Sequence, residues 1–277
     1  MKNGLCFEQL AVMNCHYARH SFRYFLDSAV KNGVSNVEIW AQPYYVEHAV
    51  PECVKKTKRM LQERGLKLVC YTPEALSSPH NIASADADMR AHSIAFLERG
   101  IEIAAELESS KMLLISGWGN LDEPREEAMQ RCVESIGTVC KKAEREGVTL
   151  ALEHLSPISS NLVNTAGDIR AVLDQVKSPA LKGMLDTCQV GLVQESVEDY
   201  LRLLGEDLVH VHLVDGTPGG HLAFGDGTLP LQQIVQTLGR AGYGGNISME
   251  IADRRYFAHP EQADERSIRA FKSWIEK

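Results

Sequence analysis

Three observations on the sequence predict an α/β fold, a single (β/α)8 barrel over residues 1–277. Short apolar segments alternate with helical segments along the whole chain, without a linker or low-complexity stretch between them. The connections between successive apolar segments are long enough for a crossover helix, which parallel strands require. The loops after the apolar segments are longer and more polar than those after the helical ones, as in barrels whose sites lie at the carboxyl ends of the strands.

Each expected strand is a short run of apolar or alternating residues. The most regular is 208–215, where valine and leucine occupy one face while His210 and His212 occupy the other. In the second strand, Glu38 and Trp40 share one face. The expected strands are residues 4–7, 37–40, 66–71, 111–116, 148–153, 183–186, 208–215 and 247–250.

Capping residues and prolines mark the helices between these strands. Ser21 is a good N-cap for a helix that ends at Asn32 and Gly33, and Gly147 is a typical helix stop. Proline opens several other helices, because its fixed φ suits the first turn. The expected helices are residues 22–31, 51–65, 86 or 88 to about 108, 124–146, 165–175, 196–204, 230–241 and 260–276.

Composition limits the classes of function. The chain has 29 basic and 37 acidic residues and a formal net charge of −8, which disfavours a nucleic-acid-binding protein. Its 7 cysteines are scattered without a CxxC pair and are expected to be reduced and mostly buried. No basic-then-apolar signal segment and no apolar run of membrane-spanning length occur. We therefore expect a cytoplasmic protein whose partners include neither nucleic acid nor a membrane.

Four expected strands carry, at or near the carboxyl end, a residue type that binds metal ions: Glu153, Asp186, His212 and Glu250. Their side chains lie on the less apolar face, so they would meet at the carboxyl end of the barrel. Oxygen ligands are in the majority, which favours Mn²⁺, Mg²⁺ or Co²⁺ over a cysteine-rich zinc site. Glu153 and Glu250 could face each other across the ion, one removing a proton next to a carbonyl and the other returning it from the opposite face.

Each of these residues has a plainer interpretation when it is taken alone. An inward histidine is more often a hydrogen-bonded core residue than a ligand, and a carboxylate at a strand end is commonly a helix N-cap. His210 is expected to be structural or to support the site from behind. The Gly-Asp-Gly at 225–227 more often turns the chain than cradles a phosphate. The hypothesis therefore depends on the four residues acting together.

The sequence resembles the sugar phosphate isomerase/epimerase family of xylose isomerase-like TIM barrels. Within that family it is most similar to the fructoselysine 3-epimerases and, more distantly, to the D-tagatose and D-psicose 3-epimerases. The segments that resemble the family are V-E-I-W at 37–40, Y-T-P-E at 71–74, L-E-H-L-S-P at 152–157, L-D-T-C at 185–188, V-H-L-V-D at 211–215, G-D-G at 225–227 and M-E at 249–250.

The resemblance implies a metal-dependent epimerase that inverts C3 of a ketose or ketose conjugate through a cis-enediolate. It implies that Glu153, Asp186, His212 and Glu250 bind the ion, with Mn²⁺ expected first, and that the two glutamates are the acid/base pair. Barrels of this family commonly form homodimers or homotetramers, and we expect the same here.

Four further residues are expected to contact the sugar: His221, Trp118, Gln189 and Ser160. His221 lies near a position where fructoselysine-type enzymes have a histidine. Ser160 and Gln189 depart from the family pattern, because epimerases have a glutamate at the first position and the tagatose- and psicose-type enzymes have a histidine at the second. These departures leave the identity of the sugar open.

Three alternative functions share part of this pattern. Aldose–ketose isomerases, inosose dehydratases or isomerases and 3-keto-glycoside lyases of the same barrel group also combine a metal with carboxylates. An endonuclease IV-like repair enzyme would need more ligands for several zinc ions and a basic groove, against the net charge of −8. A non-catalytic sugar-binding barrel would be expected to lack Glu153 or Glu250, and both are present.

Overall fold

The computed structural model of the protein describes residues 4–42, 50–76, 79–217 and 219–276. Eight strands form a closed barrel in sequence order, and the last strand pairs with the first in parallel. The strands are β1 (Leu10–Met13), β2 (Asn36–Ala41), β3 (Lys67–Pro73), β4 (Lys111–Ile115), β5 (Thr149–Glu153), β6 (Leu181–Asp186), β7 (Leu208–His212) and β8 (Asn246–Met249). The predicted α/β class, a (β/α)8 TIM barrel, is confirmed.

Helices connect the strands throughout the described residues. They are α1 (Phe22–Lys31), α2 (Pro51–Gln62), α3 (Ala87–Glu106), α4 (Arg125–Glu146), α5 (Ala166–Val176), α6 (Thr187–Leu192), α7 (Val197–Leu204), α8 (Leu231–Arg240) and α9 (Pro260–Ile275). None of those in the described part of the chain combines the length and apolar character that crossing a bilayer requires.

The chain packs as two compact units. The first comprises Met1–Trp40, Arg59–Val69 and Leu185–Lys277, and it contains β1, β7 and β8 with α1 and α6 to α9. The second comprises Ala41–Lys58 and Cys70–Met184, and it contains β4 and β5 with α3 to α5. A single domain over residues 1–277 stays a prediction.

Capping residues define the helix ends where the sequence predicted them. The Ser21 hydroxyl accepts from the Tyr24 N–H at the start of α1. Thr165 and Ser196 form capping boxes at the starts of α5 and α7, and Gly147 ends α4 with a φ of 70°. Each such cap stabilises its helix by about 1 kcal/mol, because it satisfies backbone groups that the helix leaves unpaired.

The expected first strand at residues 4–7 is wrong. The strand is Leu10–Met13, all of it buried, and Phe7–Gln9 form a 3-10 helix before it. The side-chain amide of Gln9 donates to the backbone carbonyls of Tyr243 and Gly245, at 3.0 and 2.9 Å. These hydrogen bonds fix the glutamine beside the segment that leads into β8, so the chain enters the barrel only after it.

The strand register of the first unit shows which residues lie side by side on neighbouring strands. His212 on β7 lies opposite Ser248 on β8, and Met13 on β1 lies opposite Glu38 on β2. Side chains alternate between the two faces of a strand, so His210 and His212 point to the same side. All three ionisable side chains of this group, Glu38, His210 and His212, are fully buried. The interior of the barrel is thus polar towards the carboxyl ends of these strands.

Candidate metal centre and active site

The four predicted ligands lie at the carboxyl ends of consecutive strands. Glu153, Asp186 and His212 are the last residues of β5, β6 and β7, and Glu250 directly follows β8. Each offers one ligand atom, and these four atoms all lie within 4.8 Å of one another. The structure therefore brings together the residues that the sequence singled out, at the barrel end where sites of this fold occur.

Three carboxylates share this small volume, and burial strengthens their mutual repulsion. Burial raises the pKa of Asp186, and the negative charge of Glu250 raises it further while His221 opposes the shift. Burial also acts to raise the pKa of Glu250, but His212 and His221 outweigh it and hold that pKa well below its ordinary value. The negative charge collected here favours a cation.

One of the two carboxylate oxygens of Asp186 accepts no hydrogen bond from the described residues. Its Oδ1 accepts from the Gln189 N–H at 2.7 Å and so caps α6, a short helix that the sequence analysis had missed. Its Oδ2 is buried and has no hydrogen-bond partner among the described residues, and the same holds for the side-chain oxygen of Gln189. A buried acceptor without a partner is unfavourable, so Oδ2 is suited to an ion.

The donor set fits a divalent metal. It combines three carboxylates with one imidazole, and no cysteine thiolate belongs to the cluster. Carboxylate oxygens suit Mg²⁺ and Mn²⁺, and an added imidazole is compatible with Mn²⁺ and Co²⁺. The residues present, together with the unsatisfied oxygen of Asp186, therefore match the group that the sequence predicted.

Behind His212 lies a buried carboxylate that the sequence analysis had not assigned to the site. Glu38 Oε2 lies 2.7 Å from His210 Nε2, and Glu38 Oε1 lies 3.1 Å from His212 Nε2. Burial alone would raise the pKa of Glu38, but the two histidines outweigh it and hold that pKa well below its ordinary value. The sequence placed Glu38 on one face of the second strand together with Trp40. Its partners, His210 and His212, could be identified only from the folded structure.

His221 lies beside the cluster, as a contact near the reacting group should. Its Nε2 is 3.2 Å from Glu250 Oε2 and 3.7 Å from Asp186 Oδ2, and a quarter of its side chain is exposed. Its backbone carbonyl accepts from the N–H groups of Ala252 and Asp253, just after β8. The loop before His221 is thus fixed to the loop that follows Glu250.

The Gly-Asp-Gly at 225–227 turns the chain. Asp215 accepts the backbone N–H groups of Gly216, Gly225 and Leu229 at 2.9, 2.9 and 3.1 Å, which closes the loop upon itself. A Cβ on Gly227 would lie 2.2 Å from Asp215 Oδ1, so only glycine fits there. Because the N–H groups of Gly225 and Asp226 already donate to Asp215 and to the Ala223 carbonyl, the turn does not offer them to a phosphate.

Two predicted sugar contacts belong to the loops after β4 and β5 in the second unit. The Ser160 hydroxyl donates to the Gly117 carbonyl at 2.6 Å and accepts the Leu162 N–H at 3.1 Å. The backbone of Trp118 is held by the side-chain amide of Asn81 at 2.8 and 3.1 Å. The hydroxyl of Ser160 thus joins the loops after β4 and β5, and its contact with a sugar stays a prediction, as does that of Trp118.

A profile of the Xylose isomerase-like TIM barrel family matches residues 26–274. The chain belongs to this family. The match spans the four clustered residues and all strands from β2 onward. The family named from the sequence motifs is therefore confirmed.

Curated relatives of this Xylose isomerase-like TIM barrel are sugar epimerases. Fructoselysine 3-epimerase of Shigella flexneri is 27% identical over 279 residues, covering 99% of this chain and 98% of its own. D-psicose 3-epimerase of Ruminiclostridium cellulolyticum is 29% identical over 241 residues, covering 83% of this chain and 78% of its own. Epimerases belong to the isomerase class, so the prediction of an isomerase is confirmed by these relatives.

Solved structures share the fold over nearly the whole chain. The D-psicose 3-epimerase from Clostridium cellulolyticum H10, crystallised with D-tagatose, superposes with a TM-score of 0.80 at 22% identity, covering 96% of this chain and 98% of that one. The 3-keto-D-glucoside 4-epimerase of E. coli gives 0.81 at 17% identity, covering 96% and 99%. At these identities the likeness is one of fold.

Proposed function

We propose that the protein is a divalent-metal-dependent epimerase that inverts C3 of a ketose or of a ketose conjugate such as fructoselysine. The observation that carries this proposal is the convergence of four ligand-type residues within 4.8 Å at the carboxyl end of the barrel. Relatives that match this chain along most of its length are 3-epimerases, which supports the position of the reaction.

In this proposal Glu153, Asp186, His212 and Glu250 hold the ion. Mn²⁺ is the preferred candidate, with Mg²⁺ or Co²⁺ as substitutes, because oxygen donors outnumber the single imidazole. A divalent ion bound there stabilises negative charge on the sugar oxygens next to the reacting carbon. The unsatisfied Oδ2 of Asp186 and the cluster's negative charge support this assignment.

Glu153 and Glu250 act as the proton acceptor and donor. One carboxylate takes the proton from C3 as the C3–H bond breaks, and the electron pair moves to the adjacent carbonyl to give a cis-enediolate. The other glutamate, which enters this step as a protonated carboxyl group, delivers its proton to the opposite face of C3, and the carbonyl forms again. Glu250 is 20% exposed beside His221, so a substrate in the barrel mouth can reach it.

The remaining predicted contacts would choose the sugar. His221 is the best placed of them, because it lies within 3.2 Å of a proposed acid/base carboxylate. Gln189, Trp118 and Ser160 are proposed to line the rest of the binding site. The departure from the tagatose- and psicose-type pattern at Gln189 favours a conjugated ketose over a free ketohexose as substrate, whereas Ser160 departs from the epimerases in general and does not distinguish the two.

We also propose a homodimer or homotetramer in the cytoplasm. The described cysteines are all free thiols, which suits a reducing compartment. Sedimentation equilibrium of the purified protein measures the assembly, and a monomer at micromolar concentration would contradict this part of the proposal.

The function is tested with metal-stripped protein and a panel of sugars. After treatment with EDTA and its removal, we expect no turnover of fructose, psicose, tagatose or fructoselysine, and recovery when Mn²⁺ or Co²⁺ is added. Chromatography should then show a C3 epimer of at least one of these substrates. Full activity without metal would refute the metal assignment. An aldose or an elimination product instead of an epimer would favour the isomerase, dehydratase or lyase alternatives.

A further inference from the structure

Glu38 forms the centre of a buried trio that the proposed reaction does not use. Each of its carboxylate oxygens lies against the Nε2 of a different histidine, at 2.7 Å for His210 and 3.1 Å for His212. All three side chains have no exposed surface. The ligand atoms of the trio also lie within 4.8 Å of one another, but both Nε2 atoms are within hydrogen-bond distance of the carboxylate, and we interpret the trio as a hydrogen-bonded unit.

The arrangement determines which nitrogen of His212 can bind an ion. A neutral imidazole carries one N–H donor and one lone pair, on different nitrogens. A carboxylate accepts hydrogen bonds, so contact with Glu38 requires the proton of His212 to sit on Nε2. The lone pair is then on Nδ1, which lies 2.9 Å from Glu250 Oε2 at the ligand cluster, and that contact, unlike the one with Glu38, does not have hydrogen-bond geometry.

We propose that Glu38 is a positioning residue of the metal centre, which holds the Nδ1 lone pair of His212 towards the ion, and that His210 in turn holds Glu38. This inference rests on the metal site of the proposed function. It gives a role to Glu38 and His210, which the proposed reaction does not use. Glu38 does not touch substrate or ion, and it acts only through His212.

Energetics support a role beyond packing. Removing a carboxylate from water is unfavourable unless its partners compensate, and apolar residues of similar volume often stabilise a core as well or better. A hydrogen bond from a ligating histidine to a carboxylate fixes the ring orientation and raises the basicity of the other nitrogen. Such partners typically change metal affinity by about 10–100-fold when they are replaced.

The test compares Glu38→Gln with Asp264→Asn. The amide can donate to His212 Nε2 as well as accept, so it permits the ring proton to move to Nδ1, where it blocks coordination. Asp264 is the matched control, since its Oδ1 lies 3.0 Å from His16 Nε2 and both side chains are buried. Neither residue of that control pair belongs to the ligand cluster.

The readout is the Mn²⁺ dissociation constant, from the free Mn²⁺ signal in electron paramagnetic resonance titrations. We expect about 10–100-fold weaker binding in Glu38→Gln and an unchanged constant in Asp264→Asn. Wild-type affinity in Glu38→Gln would overturn the inference, and so would equal losses in both variants, because the effect would then be one of general destabilisation.

A second measurement needs no variant and so does not depend on Glu38→Gln folding. In the ¹⁵N-histidine-labelled, Mg²⁺-loaded wild-type protein, the ring of His212 should carry its proton on Nε2 and none on Nδ1. A proton on Nδ1 would overturn the inference. Neither readout involves a sugar, so failure of the epimerase proposal is recognised separately, as a wild-type protein that binds Mn²⁺ but turns over no ketose.

Discussion

Two buried carboxylate–imidazole pairs in the first unit have nearly the same geometry and different surroundings. Glu38 Oε1 lies 3.1 Å from His212 Nε2, and Asp264 Oδ1 lies 3.0 Å from His16 Nε2. The Nδ1 of His212 lies 2.9 Å from Glu250 Oε2 and His212 belongs to the ligand cluster, whereas neither His16 nor Asp264 belongs to such a cluster among the described residues. The first pair therefore supports a site, and the second ends within the core.

The second oxygen of each carboxylate differs in the same way. Glu38 Oε2 binds another histidine, His210, on the strand that carries the ligand. Asp264 Oδ2 accepts the hydroxyl of Tyr17 at 2.7 Å, and burial, with the charge of Asp264, raises the pKa of that hydroxyl well above its ordinary value. A carboxylate–histidine pair is thus not a sign of a metal by itself, because the neighbours of the other nitrogen decide its role.

The largest expected difference between these regions concerns turnover. Glu153→Gln and Glu250→Gln should each lower kcat by about 10²–10⁴-fold, because an amide cannot exchange a proton with C3. Folded Asp264→Asn should keep its kcat. Initial rates with saturating Mn²⁺ and whichever sugar of the panel the wild type epimerises measure this effect. Appreciable turnover in both glutamine variants would contradict the two-base mechanism.

The ligand histidine and its counterpart should differ in ion binding. His212→Asn removes a proposed ligand. We therefore expect a larger loss of Mn²⁺ affinity than in Glu38→Gln, for which the expected loss is about 10–100-fold. His16→Asn should bind Mn²⁺ as the wild type does. Isothermal titration of both variants distinguishes the two histidines, and similar constants for the pair would place the ion elsewhere.

The smallest effect is expected at the outer partners of the two carboxylates. His210→Asn should weaken Mn²⁺ binding by less than Glu38→Gln does, because it acts only by loosening Glu38. Tyr17→Phe should leave Mn²⁺ binding unchanged and lower the free energy of unfolding by about 1–3 kcal/mol, because the buried Oδ2 of Asp264 loses the hydroxyl that donates to it. Urea unfolding and Mn²⁺ titration of both proteins test this. A larger loss of affinity for His210→Asn than for Glu38→Gln would reverse the proposed order of support.

Local patterns in the sequence were sufficient for most of the barrel and for the four clustered residues. Alternation located the strand ends at Glu153 and Asp186 and the polar face of His212, because period two and the following polar loop are properties of neighbouring residues. The strand expected over 208–215 ends earlier, at His212. Caps located α1 and α5 for the same reason. The apolar pattern gave the wrong position for β1, because an apolar run at 4–7 precedes the true strand, Leu10–Met13. Only the contacts of Gln9 show where the barrel begins.

Contacts between distant parts of the chain explain what the sequence could not supply. Glu38 and His210 are 172 positions apart, and their pairing exists only because the barrel closes. Asp186 is both a ligand-type residue and the N-cap of α6, so its pattern gave no sign of the short helix. The hydrogen bond from the Ser160 hydroxyl to the Gly117 carbonyl likewise depends on the path of the chain after β4.

Hydrogen exchange at C3 tests the central claim most directly. The Mn²⁺-loaded protein is incubated in D₂O with fructoselysine and, separately, with fructose, psicose and tagatose, and the ion is removed by a chelator before proton NMR. The account predicts that the C3 proton signal disappears from the substrate that reacts and that a C3-inverted product carries deuterium at C3. Deuterium at C1 alone, or turnover without any exchange at C3, would contradict it.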